Sequence, residues 1–181
     1  MIPSDQAPAR IVTELTRRAE TLAFAESLTA GLASATVASV PGASAVLRGG
    51  LVTYATDLKH SLAGVDEQLL ADAGPVSADT AVAMAEGARR VCGADWGVSL
   101  TGVAGPDPQD GHPVGEVFIG IAGPGRETVA VRARAEGHMG VAPGRHSPEP
   151  VPVMVGDRSE IRGWSVAAAL SELLGAVLSR G

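Results

Sequence analysis

The sequence predicts a single-domain α/β sandwich with a mixed, mostly parallel central sheet and an antiparallel hairpin late in the chain. Three observations lead there. Segments of helical period alternate with short apolar runs, as in folds whose helices cover a sheet. Hydrophobic residues are 45% of the 181 and aromatics only 3%, so the core must rest on Ala, Val and Leu, which let helices lie close on a sheet. Two late strand-like segments are separated only by Ala122-Gly123-Pro124-Gly125-Arg126, a spacing that suits a hairpin.

The elements follow in order. Residues 9–20 read as a helix, with Ile11, Leu15 and Ala19 on one face. Residues 21–25 (TLAFA) form a buried strand, and the chain then turns through Glu26-Ser27-Leu28-Thr29. Residues 31–40 are a small-residue helix stopped by Pro41-Gly42. Residues 46–54 are a second strand, with a bend or bulge at Gly49-Gly50. Short helices are expected over 57–64 and 66–73. Ser77 caps a longer one over 78–92, with Val82, Ala85 and Ala88 on successive turns. Residues 94–100 are a third strand, followed by a Gly- and Pro-rich loop over 101–113. The hairpin strands are 114–121 and 128–135. Residues 137–152, dense in Gly, Pro and His, read as an irregular surface excursion. Residues 157–179 are the last helix, with Ile161, Ser165, Ala168, Ala169 and Leu173 inward.

Charge and composition exclude several functions. The net charge is −6, and no Lys/Arg run supplies the basic face that phosphate-backbone binding needs. Direct nucleic-acid contact is therefore not expected. The single cysteine, Cys92, cannot form an internal disulfide and reads as a structural thiol in a reducing cytoplasm. Met1-Ile2-Pro3-Ser4-Asp5 has no signal-peptide character, and no stretch reads as a membrane span. His138 and His146, with Glu149 nearby, are a chance cluster rather than a metal site. No cofactor or metal is expected.

Ser27 falls where a buried strand ends and a helix begins, a junction that exposes a side chain and free backbone N–H groups at the sheet's carboxyl edge. By position alone, a plain helix N-cap at Ser27 or Thr29 is the simpler reading. None of His60, His112, His138 and His146 lies beside an acid in a triad context, and no Gly-x-Ser-x-Gly elbow is present. Lys59 is the only lysine in a chain that otherwise uses Arg, and it follows Tyr54 by five residues. A desolvated Lys can act as a neutral base where Arg cannot, although a solvated helix Lys fits the spacing as well. The loop Leu100-Thr101-Gly102-Val103-Ala104-Gly105-Pro106-Asp107 would let backbone approach a ligand closely.

Several segments in order carry a resemblance. They are Ala25-Glu26-Ser27-Leu28-Thr29-Ala30-Gly31, Val40-Pro41-Gly42-Ala43-Ser44, Val52-Thr53-Tyr54 through Lys59, Gly74-Pro75-Val76-Ser77, Leu100-Thr101-Gly102-Val103-Ala104-Gly105-Pro106, Pro113-Val114-Gly115 and Gly156-Asp157-Arg158. Together they resemble the CinA C-terminal domain family, which includes nicotinamide-nucleotide amidases. The resemblance implies hydrolysis of the carboxamide of nicotinamide mononucleotide to nicotinic acid mononucleotide and ammonia. It implies Ser27 as nucleophile, Lys59 as base and Tyr54 as accompanying proton relay. Substrate contacts would come from Thr29, Gly31, Thr101, Gly102 and Gly105, with Arg158 or Arg162 near the phosphate. Backbone N–H groups around residues 28–30 or 101–102 would hold the oxyanion.

Ala30 stands where the family often carries Gly, residues 108–112 depart from its Gly-rich, Lys-containing stretch, and residues 137–152 look like an insertion. The expected partner is a small nucleotide substrate, with homo-oligomeric assembly and no membrane. Two alternatives remain open: an amidase for another small amide, and a non-catalytic competence- or DNA-damage-associated protein acting through a partner.

Overall fold

The computed structural model describes residues 6–145 and 147–180. Helix α1 (Ala7–Arg18) leads into strand β1 (Leu22–Glu26), followed by α2 (Leu32–Ala38), a 3-10 turn at Ala43–Ala45 and β2 (Leu47–Val52). Helices α3 (Thr56–Ser61), α4 (Glu67–Ala73) and α5 (Ala78–Cys92) precede β3 (Trp96–Gly102), and β4 (Val117–Ala122) and β5 (Val129–Arg132) form the expected hairpin. Strands β6 (Met139–Ala142) and β7 (Val151–Met154) and helix α6 (Arg158–Leu178) complete the chain.

The five-stranded sheet has the order β2-β1-β3-β4-β5. Strands β2, β1 and β3 are mutually parallel, β4 runs antiparallel to β3, and β5 runs antiparallel to β4. Both faces are buried, so β1 is buried at every position. Its alternate residues divide between two cores. Leu22 and Phe24 join Ile11, Leu15, Val98, Leu100, Ile161 and Leu170 under α1 and α6. Ala23 and Ala25 join Met84 and Ala88 of α5.

The α5 face is made of small residues for a steric reason. A Cβ at Gly97 would stand 2.0 Å from the Ala85 carbonyl oxygen, and one at Gly120 2.2 Å from that of Ala81. Ser99 instead donates to the Ala81 carbonyl at 2.6 Å. The inward stripe of α5 is Ala81, Met84, Ala85 and Ala88, leaving Val82 only half-buried.

Two expectations are corrected. The stretch 137–152 is not irregular throughout: β6 and β7 pair antiparallel, and Val151, Val153 and Met154 are buried. Pro150 and Pro152 obscure the alternation in the sequence, and Pro152 is tolerated because this sheet has only two strands. The expectation of no stretch long and apolar enough to cross a membrane also fails by length and composition, since α6 meets both criteria. Its buried face, Ile161, Ser165, Ala169, Leu173 and Val177, packs it as a core helix.

The hairpin is tied to the sheet at Gly115, whose carbonyl accepts from Met154 N–H at 3.0 Å. Gly115 has φ +85°, and a Cβ there would stand 1.9 Å from the Met154 carbonyl oxygen. Gly115→Ala is therefore expected to lower the unfolding free energy by about 2–3 kcal/mol through overpacking and backbone strain, measurable by denaturant titration.

Candidate active site

Strands β1 and β2 end level with one another beside Leu100 of β3, which runs on to Gly102. Glu26 is paired with Val52 on one side and Leu100 on the other. The next residues, Ser27, Thr53 and Thr101, therefore emerge together at the carboxyl edge of the sheet, where open α/β sheets bind ligands. The ladder continues one step further: Ser27 N–H donates to Leu100 O at 2.9 Å and Thr53 N–H to Glu26 O at 2.8 Å.

Lys59 reaches this edge from α3. Its Nζ donates to Ser27 Oγ at 3.0 Å and to the Thr53 carbonyl at 3.0 Å. Lys59 is 1% exposed and Ser27 8%, so the contact is almost dry. Helix α3 is anchored behind it by Val65 N–H donating to Lys59 O at 3.0 Å, with Ala63 and Val65 fully buried. Among the described residues no carboxylate pairs with the ammonium. Desolvation alone pushes its pKa from 10.5 down to about 8.

The turn after β1 is not capped as the sequence implied. Neither Ser27 nor Thr29 caps α2: its N-cap is Gly31, at φ +96°, which gives no side-chain bond. The buried Glu26 carboxylate does that work, accepting from the N–H groups of Gly31, Ala33 and Ser34 and from the Ser34 hydroxyl at 2.7–3.0 Å. A carboxylate at a helix N-terminus is well matched to its free N–H groups. Gly50 makes room for the network, because a Cβ there would lie 2.1 Å from Ser34 Oγ. Ala30 sits at φ +51°, a left-handed conformation, which accounts for the glycine the family often carries there.

The cleft is lined by Ser27, Leu28, Tyr54, Lys59, Thr101, Gly102, Gly105 and Arg158 among others. Thr101 contributes mainly backbone, since its hydroxyl donates to Pro75 O at 2.6 Å. Arg158 spans the mouth, donating to Gly105 O and to the Tyr54 hydroxyl, both at 2.7 Å. Thr29, Gly31 and Arg162 do not line the cleft. Thr29 is fully buried, and the Gly31 N–H belongs to Glu26. Arg162 donates from Nε to Leu28 O at 3.0 Å and from Nη2 to Thr29 O at 2.9 Å. Of the expected oxyanion donors, Ala30 N–H is taken by Ser27 O at 3.1 Å, whereas Leu28 and Thr29 N–H find no acceptor among the described residues.

Sequence reasoning missed Glu26, and also Asp107 and Gln109, which border the cleft. A lone acid closing an apolar strand run was the available signal for Glu26. It also missed that His112 pairs with an acid: Nδ1 lies 2.7 Å from Glu116 Oε2, four residues away. That pair is buried, and Arg132 bonds the other Glu116 oxygen. Burial alone would raise the Glu116 pKa, but hydrogen bonds from His112 and Arg132 more than offset it and hold the carboxyl below its ordinary range. His112 does not line the Ser27 cleft, so it offers no triad. His138 stacks on Trp164 with ring centroids 4.2 Å apart, and His146 lies outside the described residues. Cys92 is half-buried, and desolvation raises its thiol pKa against a lowering by Arg48, the opposite of an activated nucleophile.

A family model described as CinA C-terminal domain matches residues 4–142. The chain belongs to the CinA C-terminal domain family. A CinA-like protein of Frankia casuarinae is 47% identical over 157 residues, covering 86% of this chain but 31% of that protein; the chain thus spans under a third of the length of this curated relative. Among solved structures, competence/damage inducible protein CihA from Agrobacterium tumefaciens is 30% identical, with TM-score 0.80 and 98% of each chain covered. A CinA superfamily protein from Enterobacter cloacae, 24% identical with TM-score 0.83 over 98% of this chain and 94% of that one, shares the fold.

Two outcomes follow from this geometry. The folded-state pKa of Lys59 lies below its unfolded value, so between about pH 8 and 10.5 the unfolded chain holds more protons and stability rises with pH. Below that window the buried ammonium costs about 3 kcal/mol, at roughly 1.4 kcal/mol per pK unit. Denaturant titrations at pH 7.5 and 10 should show this rise in the wild type and its loss in Lys59→Met. Ala30→Gly should raise the unfolding free energy by about 1 kcal/mol by relieving the left-handed alanine, read from the same titrations.

Proposed function

We propose that the protein is an amidohydrolase that deamidates nicotinamide mononucleotide, giving nicotinic acid mononucleotide and ammonia through a Ser27 acyl-enzyme. The observation that carries this reading is the buried 3.0 Å contact between Lys59 Nζ and Ser27 Oγ. A lysine with a pKa of about 8 is neutral in a useful fraction of molecules near neutral pH, and its lone pair then faces the serine hydroxyl.

The steps are these. Neutral Lys59 takes the Ser27 proton as Oγ bonds to the carboxamide carbon. The amide oxygen becomes an oxyanion, met by the free N–H group of Leu28, which borders the cleft. The intermediate collapses by breaking the C–N bond, and the proton on Lys59 leaves with the nitrogen as ammonia. Water, deprotonated by the same lysine, then attacks the ester carbonyl and releases the carboxylate product. Tyr54 and Arg158 stand at the mouth, joined to each other. Arg158 is the cation that would meet the phosphate, exchanging its bonds to Gly105 O and Tyr54 for phosphate oxygens.

A second reading, a non-catalytic role in competence or damage responses, draws on relatives described as competence/damage inducible, such as the Agrobacterium protein. The net charge of −6 favours a protein partner over nucleic acid for such a role.

Purified protein is expected to release ammonia from nicotinamide mononucleotide. Ser27→Ala and Lys59→Met should each lower kcat/KM by about a thousandfold or more, the scale on which loss of a nucleophile or its base acts. The wild-type kcat/KM should rise with pH through an apparent pKa of about 8. Retained turnover in Ser27→Ala would exclude the mechanism, and an inert but folded wild type would favour another amide or a binding role.

A further inference from the structure

Arg162 is a cation of this region that no step above employs. It projects from the second turn of α6 and is half-buried. Among the described residues it has no carboxylate partner, and its bonds go to two backbone carbonyls, Leu28 O and Thr29 O. Placing a guanidinium against neutral carbonyls of the turn that follows Ser27 is a costly use of a charge unless the turn must be held.

We infer that Arg162 is a positioning residue, which fixes the Leu28–Thr29 backbone so that the free Leu28 N–H is held at the cleft as an oxyanion donor, and that it is not a ligand for the substrate's phosphate. The inference rests on the proposed Ser27 acyl-enzyme. Ser27 O accepts from Ala30 N–H, and Glu26 accepts from Gly31, Ala33 and Ser34. Among the described residues the N–H groups of Leu28 and Thr29 and the buried Thr29 hydroxyl are left without partners. With Leu28 O and Thr29 O held from α6 and Ser27 O held by Ala30 N–H, the planar Ser27–Leu28 peptide cannot swing its Leu28 N–H away from the cleft that Leu28 lines. The site is thus set between opposed charges: Glu26 holds the helix end of the turn by its N–H groups, and Arg162 holds the serine end by its carbonyls.

The test compares wild type, Arg162→Ala and Arg162→Lys on nicotinamide mononucleotide and on the corresponding nucleoside, which lacks the phosphate. Alongside, the rate of Ser27 modification by a fluorophosphonate is followed by mass spectrometry; there the Ser27 Oγ–P bond forms and fluoride leaves. The expected result for Arg162→Ala is a fall in kcat of about 30- to 100-fold, toward the effect of losing one oxyanion donor. KM should change less than about threefold, the factor should be the same on both substrates, and Ser27 labelling should slow by at least about tenfold. Arg162→Lys should recover part of the loss, and it carries the comparison if the alanine variant does not fold. A rise in KM confined to the phosphorylated substrate, with labelling unchanged, would overturn the inference and make Arg162 a phosphate ligand. Unchanged kcat and labelling would overturn it as well. If the wild type turns over neither substrate, the amidase reading fails, and the labelling rates alone decide: slowed labelling in Arg162→Ala sustains the positioning role, and equal rates reject it.

Discussion

A buried ammonium with only neutral acceptors is the constraint on which this site depends. Lys59 meets Ser27 Oγ and the Thr53 carbonyl and no carboxylate. An ion pair would have stabilised the charged form and raised the pKa. Burial without a counter-charge does the reverse and leaves the amine near its neutral form. The fold accepts a destabilising group at this one place and builds its support around it: the carboxyl edge of three parallel strands, the short α3 and the buried Ala63 and Val65 beneath it.

The same economy of charge shapes the turn carrying Ser27. A carboxylate and a guanidinium lie on either side of it, and neither is paired with the other in the contacts observed. Each is spent on backbone, Glu26 on N–H groups and Arg162 on carbonyls. This fixes a chain segment that contains a left-handed alanine and a left-handed glycine, conformations that would otherwise leave the turn loosely defined. The close approach of α2 that the network needs is permitted by Gly50 on the neighbouring strand. Residues far apart in sequence thus determine one loop, and a change at any of them is felt at Ser27.

Much of the architecture was legible because local pattern and tertiary role agree. The α5 helix begins at its Ser77 cap, β1 is a run of apolar residues, and the hairpin of β4 and β5 surrounds a Gly-Pro-Gly turn. Ser27 and Lys59 were nameable from position, rarity and family resemblance, but their distance was not, because it depends on strand order and on the register of β1, β2 and β3. The β6–β7 hairpin was hidden by prolines that break the strand pattern without breaking the strand. Arg162 and Thr29 were expected among the ligand contacts from the family resemblance. On a helix, however, Arg162 lies a turn further from the mouth, and there it meets the Ser27 turn from behind. Capping by Glu26 rather than by Ser27 was illegible because the carboxylate reaches back over five to eight residues of a turn with unusual dihedrals.

The central claim is that Lys59 is a base with a strongly depressed pKa, and the sequence makes it directly observable. Lys59 is the sole lysine, so protein grown with carbon-13- and nitrogen-15-labelled lysine gives a single side-chain signal to follow against pH by NMR. The account predicts that the Lys59 Cε and Nζ shifts titrate with a midpoint near 8 in the folded protein and return to the ordinary lysine range on unfolding. A midpoint near 10.5 in the folded protein would contradict it, since a permanently charged Lys59 could not take the Ser27 proton.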